Sequence, residues 1–106
     1  MQNPVTILAP IKLAAGKTEA DLLAASEKFQ TEFVSKEPGV LRRELVRTPD
    51  GNYLDIVQFR SAEDVADITE KEKKSAVCGA FFAVMDFSDM DMEAEMEIHQ
   101  SLATYP

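Results

Sequence analysis

Three features of the sequence predict an α+β fold with elements in the order β-α-β-β-α-β. The first is a hairpin from Val40 to Arg60, reading VLRRELVRT-PDG-NYLDIVQFR. The second is a pair of segments with helical apolar spacing, one on either side of that hairpin. The third is a strand-like run near each end of the chain, at Val5–Leu13 and Met96–Tyr105. This order is the ferredoxin-like split βαβ arrangement. Right-handed crossovers place both helices on one face of a four-stranded antiparallel sheet. The first and third strands are then central, and the second and fourth lie at the edges.

Val5 to Leu13 alternates, with Val5, Ile7, Ala9, Ile11 and Leu13 on one face and Leu8 and Pro10 on the other. Proline donates no ladder bond, so Pro10 in a central strand predicts a bulge or distortion. Thr18 has the character of a helix N-cap, with Asp21 completing a variant capping box. Leu22, Ser26, Phe29, Phe33 and Val34 then recur at helical steps, giving a helix from about Glu19 to Glu37 that Pro38-Gly39 ends. In the hairpin, Pro49 presets φ, Asp50 can bond its own backbone and Gly51 accepts a positive φ. A three-residue loop opposes Arg47 to Tyr53, Leu45 to Asp55, Arg43 to Val57 and Leu41 to Phe59; a two-residue loop would slip this register. Ser61 to Asp64 repeats the capping pattern before Val65 and Ile68. The run Glu70-Lys71-Glu72-Lys73-Lys74 reads as a solvated helix face or a break between two helical pieces. Ala76, Val77, Ala80, Phe81, Val84 and Met85 form the second piece, and Asp86 to Glu95 an acidic connector.

The chain has 106 residues, a length suited to one domain spanning 1–106. Its formal charge of −8, from 19 acidic and 11 basic residues, argues against nucleic acid and anionic membrane surfaces as partners. The single Cys78 permits no internal disulfide and fits a reducing compartment. The N-terminal MQNPVTILAP lacks the basic and apolar regions of a signal peptide, and no run approaches a membrane span. A cytoplasmic location is expected.

Both faces of the hairpin mix apolar and charged side chains. Arg43, Asp55 and Phe59 are predicted to face the helices, and Val40, Val46, Leu54 and Ile56 the opposite side. A sheet covered on one side only should alternate cleanly. The apolar set on the uncovered face therefore predicts a homodimer packed sheet to sheet.

Several residues have the chemistry for a site. His99, the only histidine, is a candidate general base. Asp55 stands mid-strand between Leu54 and Ile56, where a carboxylate is costly unless paired. Arg43 and Arg47 flank it diagonally, and a guanidinium–carboxylate pair suits an acidic or phenolic ligand. Tyr53, Phe59, Phe81, Phe82 and Met85 could wall a small apolar pocket, or serve simply as core. The segment Asp89-Met90-Asp91-Met92-Glu93 loosely mimics a calcium loop, but Ala94 replaces its glycine and Gln100 its terminal glutamate, so no metal site is expected.

The element order, the short hairpin, the Glu37-Pro38-Gly39-Val40 step and the run YLDIVQF-R-SAEDV together resemble the antibiotic biosynthesis monooxygenase-like family of the dimeric α/β barrel superfamily. The resemblance covers about residues 4 to 105. It implies a small enzyme that oxidises a hydrophobic, aromatic molecule with neither metal nor flavin, in a pocket between sheet and helices. Phe59 takes the family's strand-end aromatic position. Asp55 stands where the best-studied members carry an amide, and Ile68 where a helical histidine is frequent. With no Trp and no helical His, the chain departs from the haem-degrading branch. A non-catalytic ligand-binding or sensor module and a purely structural dimeric domain are the alternatives on the same scaffold.

Overall fold

The computed structural model describes residues 3–87 and 97–105. Its elements are β1 (Val5–Ile11), α1 (Glu19–Glu32), a 3-10 turn (Val34–Lys36), β2 (Val40–Arg47), β3 (Tyr53–Phe59), α2 (Ala62–Glu72), α3 (Ala76–Phe82) and β4 (Glu97–Gln100). All strand pairs are antiparallel, in the order β2-β3-β1-β4. The fold is thus the predicted α+β one, with β1 and β3 central and the second helix in two pieces.

Local chemistry explains most boundaries. Thr18 Oγ1 accepts from the Asp21 amide at 3.2 Å and the Asp21 carboxylate accepts from the Thr18 amide at 2.9 Å, a reciprocal box that starts α1. Phe33 leaves helical geometry at φ −128°, so α1 stops at Glu32 and not near Glu37. The apolar spacing continues past that point because the 3-10 turn keeps Val34 buried. Ser61 and Ser75 cap α2 and α3, and the break falls at Lys73-Lys74, the end of the mixed charge run. Pro49-Asp50-Gly51 forms the three-residue loop, with Gly51 at φ 87°, the Thr48 amide donating to the Asn52 carbonyl at 2.9 Å, and the Asn52 amide donating to Asp50 Oδ1 at 3.1 Å.

That loop sets the predicted register of Arg47 against Tyr53, Leu45 against Asp55 and Arg43 against Val57. The register then slips by one residue at Leu41, so Val40 and not Leu41 lies opposite Phe59. Val40 consequently packs against the helix-side core, which corrects its assignment to the outer face, while Leu41 is exposed. No distortion occurs at Pro10: β1 stays in continuous register with β3 through Pro10 and Leu54. An antiparallel strand bonds its two neighbours alternately, so one missing donor on one side leaves the other ladder intact. β4 is shorter than predicted, and Ser101 to Tyr105 is not strand. Residues 88–96, which hold most of the acidic connector and the calcium-loop mimic, lie outside the described residues.

The helix-facing layer contains two apolar clusters. One joins Ile11, Leu22, Phe29, Val34, Cys78, Phe81, Val84 and Met85. The other joins Val5, Ile7, Phe59 and Ile68. Ile7 and Ile11 belong to different clusters, and Ala9 between them pairs with Asp55. The sheet's midline is therefore polar where the two clusters meet. Gly39 is buried, and a Cβ there would come within 2.8 Å of the Asp64 carboxyl, which itself holds Arg60 and Ser61. The glycine lets the chain pass close to the start of α2.

Candidate functional site

The central group is an ion pair between neighbouring strands. Arg43 on β2 and Asp55 on β3 both point toward the helices, and their side chains are only 6% and 8% exposed. Arg43 Nε donates to Asp55 Oδ1 at 3.1 Å and to Oδ2 at 3.0 Å. Its two Nη atoms reach α1, one donating to Ser26 Oγ at 2.7 Å and the other to the Ser26 carbonyl at 3.4 Å. The guanidinium carbon lies 5.0 Å from the Phe29 ring centre and 5.1 Å from that of Phe81, within cation–π range. Those two rings stack on each other at 4.6 Å. A guanidinium has five N–H donors, and these contacts use three of them. Two N–H groups therefore remain in a desolvated, aromatic setting. Burial raises the Asp55 carboxyl, and the adjacent Arg43 draws it back down.

Glu72, on the last turn of α2, is the group the sequence reading missed. Its residue is half-buried, and it feels the field of both Asp55 and Arg43. Burial, then repulsion by Asp55, push its carboxyl up to about 7, against the pull of Arg43. The charge run hid it. Yet Glu72 follows Ile68 by four residues and Val65 by seven, so α2's own periodicity turns it inward. Cys78 is fully buried nearby, its thiol raised by burial.

The other candidate residues are divided among three places. Phe81 and Met85 are buried in the first cluster, with Phe82 half-buried against it, and Phe59 is buried in the second. Arg47 does not join Asp55. It makes a two-bond pair with Glu19 at 2.7 and 2.8 Å, at the exposed end of the hairpin, where Glu19 also meets Tyr53. His99 stands apart from this group. It pairs with Thr6 across β4 and β1, on the sheet face opposite Asp55. There it is exposed, with its Nε2 2.8 Å from Glu97 Oε2. Within one chain, His99 and Asp55 do not converge.

Two concavities flank this region. One, of about 220 Å³, opens at the β2 edge and has Arg43 in its wall together with Gln30, Val34, Ser35, Glu37 and Val40. The other, of about 240 Å³, lies on the outer face under the tail, bounded by Thr6, Arg42, Ile56, Gln58, Ser101 and Tyr105. There Gln58 donates to Thr104 Oγ1 at 2.9 Å, so the chain's own tail covers part of that face. Among the described residues there is no cluster of three metal-ligating side chains, and no helix is long and apolar enough to cross a membrane.

No protein-family model matches the sequence, and no curated protein matches it. Solved structures do. SnoaB, a cofactor-independent oxygenase from Streptomyces nogalater, superposes with a TM-score of 0.72 at 16% identity, covering 98% of both chains. A candidate antibiotic biosynthesis monooxygenase from Caulobacter crescentus gives 0.68 at 18%, covering 98% of this chain and 92% of its own. A heme-degrading protein from Mycobacterium tuberculosis gives 0.59 at 15%, covering 97% and 99%. The fold is that of antibiotic biosynthesis monooxygenase-like proteins.

Proposed function

We propose that this chain is a monooxygenase-type enzyme that acts, without metal or flavin, on a small hydroxylated aromatic molecule between sheet and helices. The observation that carries this reading is Arg43: a buried guanidinium with two uncommitted N–H groups, framed by Phe29 and Phe81. Such a group stabilises the oxyanion that a hydroxyarene must form before it meets dioxygen. Asp55 and Ser26 hold the guanidinium in place. In the overall reaction, hydroxyarene and dioxygen give quinone and water; one oxygen atom enters the ring and the substrate supplies the electrons. The concavity of about 220 Å³ beside Arg43 is smaller than the roughly 300–1,000 Å³ of drug-sized ligand sites, which favours a one- or two-ring substrate.

Oxygen uptake by metal-free protein with a panel of phenols and quinols tests the reading. Turnover of at least one is expected, and Arg43→Lys should lower kcat/KM on the order of 10²-fold. No uptake with any member, and no shift in melting temperature, would remove the proposal.

The filling of the core favours a second reading. Phe81 and Met85 pack tightly with Phe29 and Leu22, as a binding module or a purely structural domain would have them. A ligand-induced rise in melting temperature without oxygen uptake would select the binding module. In either case the chain is proposed to act as a homodimer. Leu8, Val46, Leu54 and Ile56 occupy the outer face and are only partly covered. Light scattering at micromolar concentration should give twice the 11.8 kDa chain mass; a monomer would contradict it.

A further inference from the structure

We propose that the tail after β4 is an arm that docks onto a second copy of this chain, with Leu102 and Tyr105 as its apolar anchors; this rests on the homodimer proposed above. The way the tail lies on the sheet is the first argument. It leaves the β4 edge and crosses the outer face over β1 and β3 toward β2. The Ser101 amide donates to the Pro4 carbonyl at 3.0 Å, and the Thr6 and Ser101 hydroxyls share a hydrogen bond of 2.7 Å. The Gln58 amide donates to Ser101 Oγ at 3.3 Å and to Thr104 Oγ1 at 2.9 Å, and Gln58 is buried beneath the tail. The side chains turned toward the sheet are thus the hydroxylated Ser101 and Thr104. The two large apolar ones turn away: Leu102 is 94% and Tyr105 80% exposed. A segment that served only to cover the outer face of its own sheet would lie the other way up, because burying Leu102 and Tyr105 is favourable. Hydrogen bonds instead hold it polar side down, which aims the apolar pair at whatever faces the sheet.

Charge and shape select a second copy as the occupant. Two chains of charge −8 repel, so they associate most readily through a face with little net charge. The strands present to this side Arg42 and Glu44 from β2 and Glu97 and His99 from β4. Each acid has a base beside it, at 3.3 Å for Arg42 and Glu44 and at 2.8 Å for Glu97 and His99, so these groups sum to −1 with His99 neutral. A two-fold axis also requires one surface to carry both halves of every contact. This face does so. The protruding Leu102 belongs to the same tail that walls the concavity of about 240 Å³ beside Ile56. In the dimer the arm of each copy lies over the concavity of the other, with Leu102 and Tyr105 against Ile56 and the apolar stem of Arg42.

Sedimentation equilibrium over a range of protein concentrations tests the arm. Wild type should be a dimer at micromolar concentration. The double variant Leu102→Asp with Tyr105→Ser should raise the dimer dissociation constant on the order of 10²–10³-fold, because each substitution falls twice in a symmetric interface. Both side chains are exposed within one chain, so the melting temperature of the diluted monomer should not change. Leu23→Asp, at a 55% exposed position on α1, should leave the dimer intact. Amide hydrogen exchange gives a second reading: residues 102–105 should exchange more slowly in concentrated wild type than in dilute. A double variant that dimerises as tightly as wild type, or exchange at 102–105 that ignores concentration, overturns the arm and leaves the homodimer standing. Dissociation by Leu23→Asp alone would put the contact on the helix side and overturn the arm as well. Wild type that stays monomeric overturns both.

Discussion

Arg43→Ala is expected to cost about 3–5 kcal/mol of stability, because it leaves the Asp55 carboxylate buried without its partner. Domains of this kind are stable by roughly 5–15 kcal/mol, so the variant should be close to unfolding. It would also lose the contact that ties β2 to α1 through Ser26. The paired replacement Arg43→Met with Asp55→Leu should cost far less, because it removes both charges and joins the two apolar clusters across Ala9. Urea unfolding of the single and double variants gives the coupling energy directly. A cost below about 1 kcal/mol for Arg43→Ala, the range of exposed pairs, would mean that the pair is not desolvated as described.

Glu72→Gln should act in the opposite direction, and only above acid pH. The Glu72 carboxyl is raised from 4.5 in the unfolded chain to about 7 in the fold. Below 4.5 both states hold the proton, and the residue has no pH-linked effect. Between 4.5 and about 7 the unfolded chain ionises while the folded one keeps its proton, so stability falls as pH rises. Above that window the loss is constant. The full shift corresponds to about 3 kcal/mol, and partial solvent screening brings the expectation to roughly 1–3 kcal/mol. The Gln variant should therefore be more stable than wild type at alkaline pH, by roughly 4–8 °C per kcal/mol, and no more stable at pH 4. Melting curves at the two pH values check this; an equal effect at both would show that packing, not ionisation, is responsible.

The hairpin was readable because its loop chemistry is local. Pro49, Asp50 and Gly51 define the turn, the turn defines the register, and the register puts Arg43 beside Asp55. The caps at Thr18 and Ser61 were readable for the same reason. The slip at Leu41 was not, since no glycine or other special residue marks it, and one residue is enough to move Val40 to the other face. Glu72 was obscured because a charge run looks solvated from composition, whereas its exposure depends on which way α2 turns. The choice between faces for His99 depended on β4's partner and phase, and nothing in that strand's own sequence supplies either.

The slip at Leu41 also limits how the molecule can associate. β2 is an edge strand, and a flat edge invites another chain to extend the sheet. Here the extra residue interrupts the regular spacing of free amides and carbonyls, and the exposed charges of Arg42, Glu44 and Arg47 line the remainder. An incoming strand finds no continuous template along this border. The irregularity thus guards against open-ended, fibre-like growth through β2.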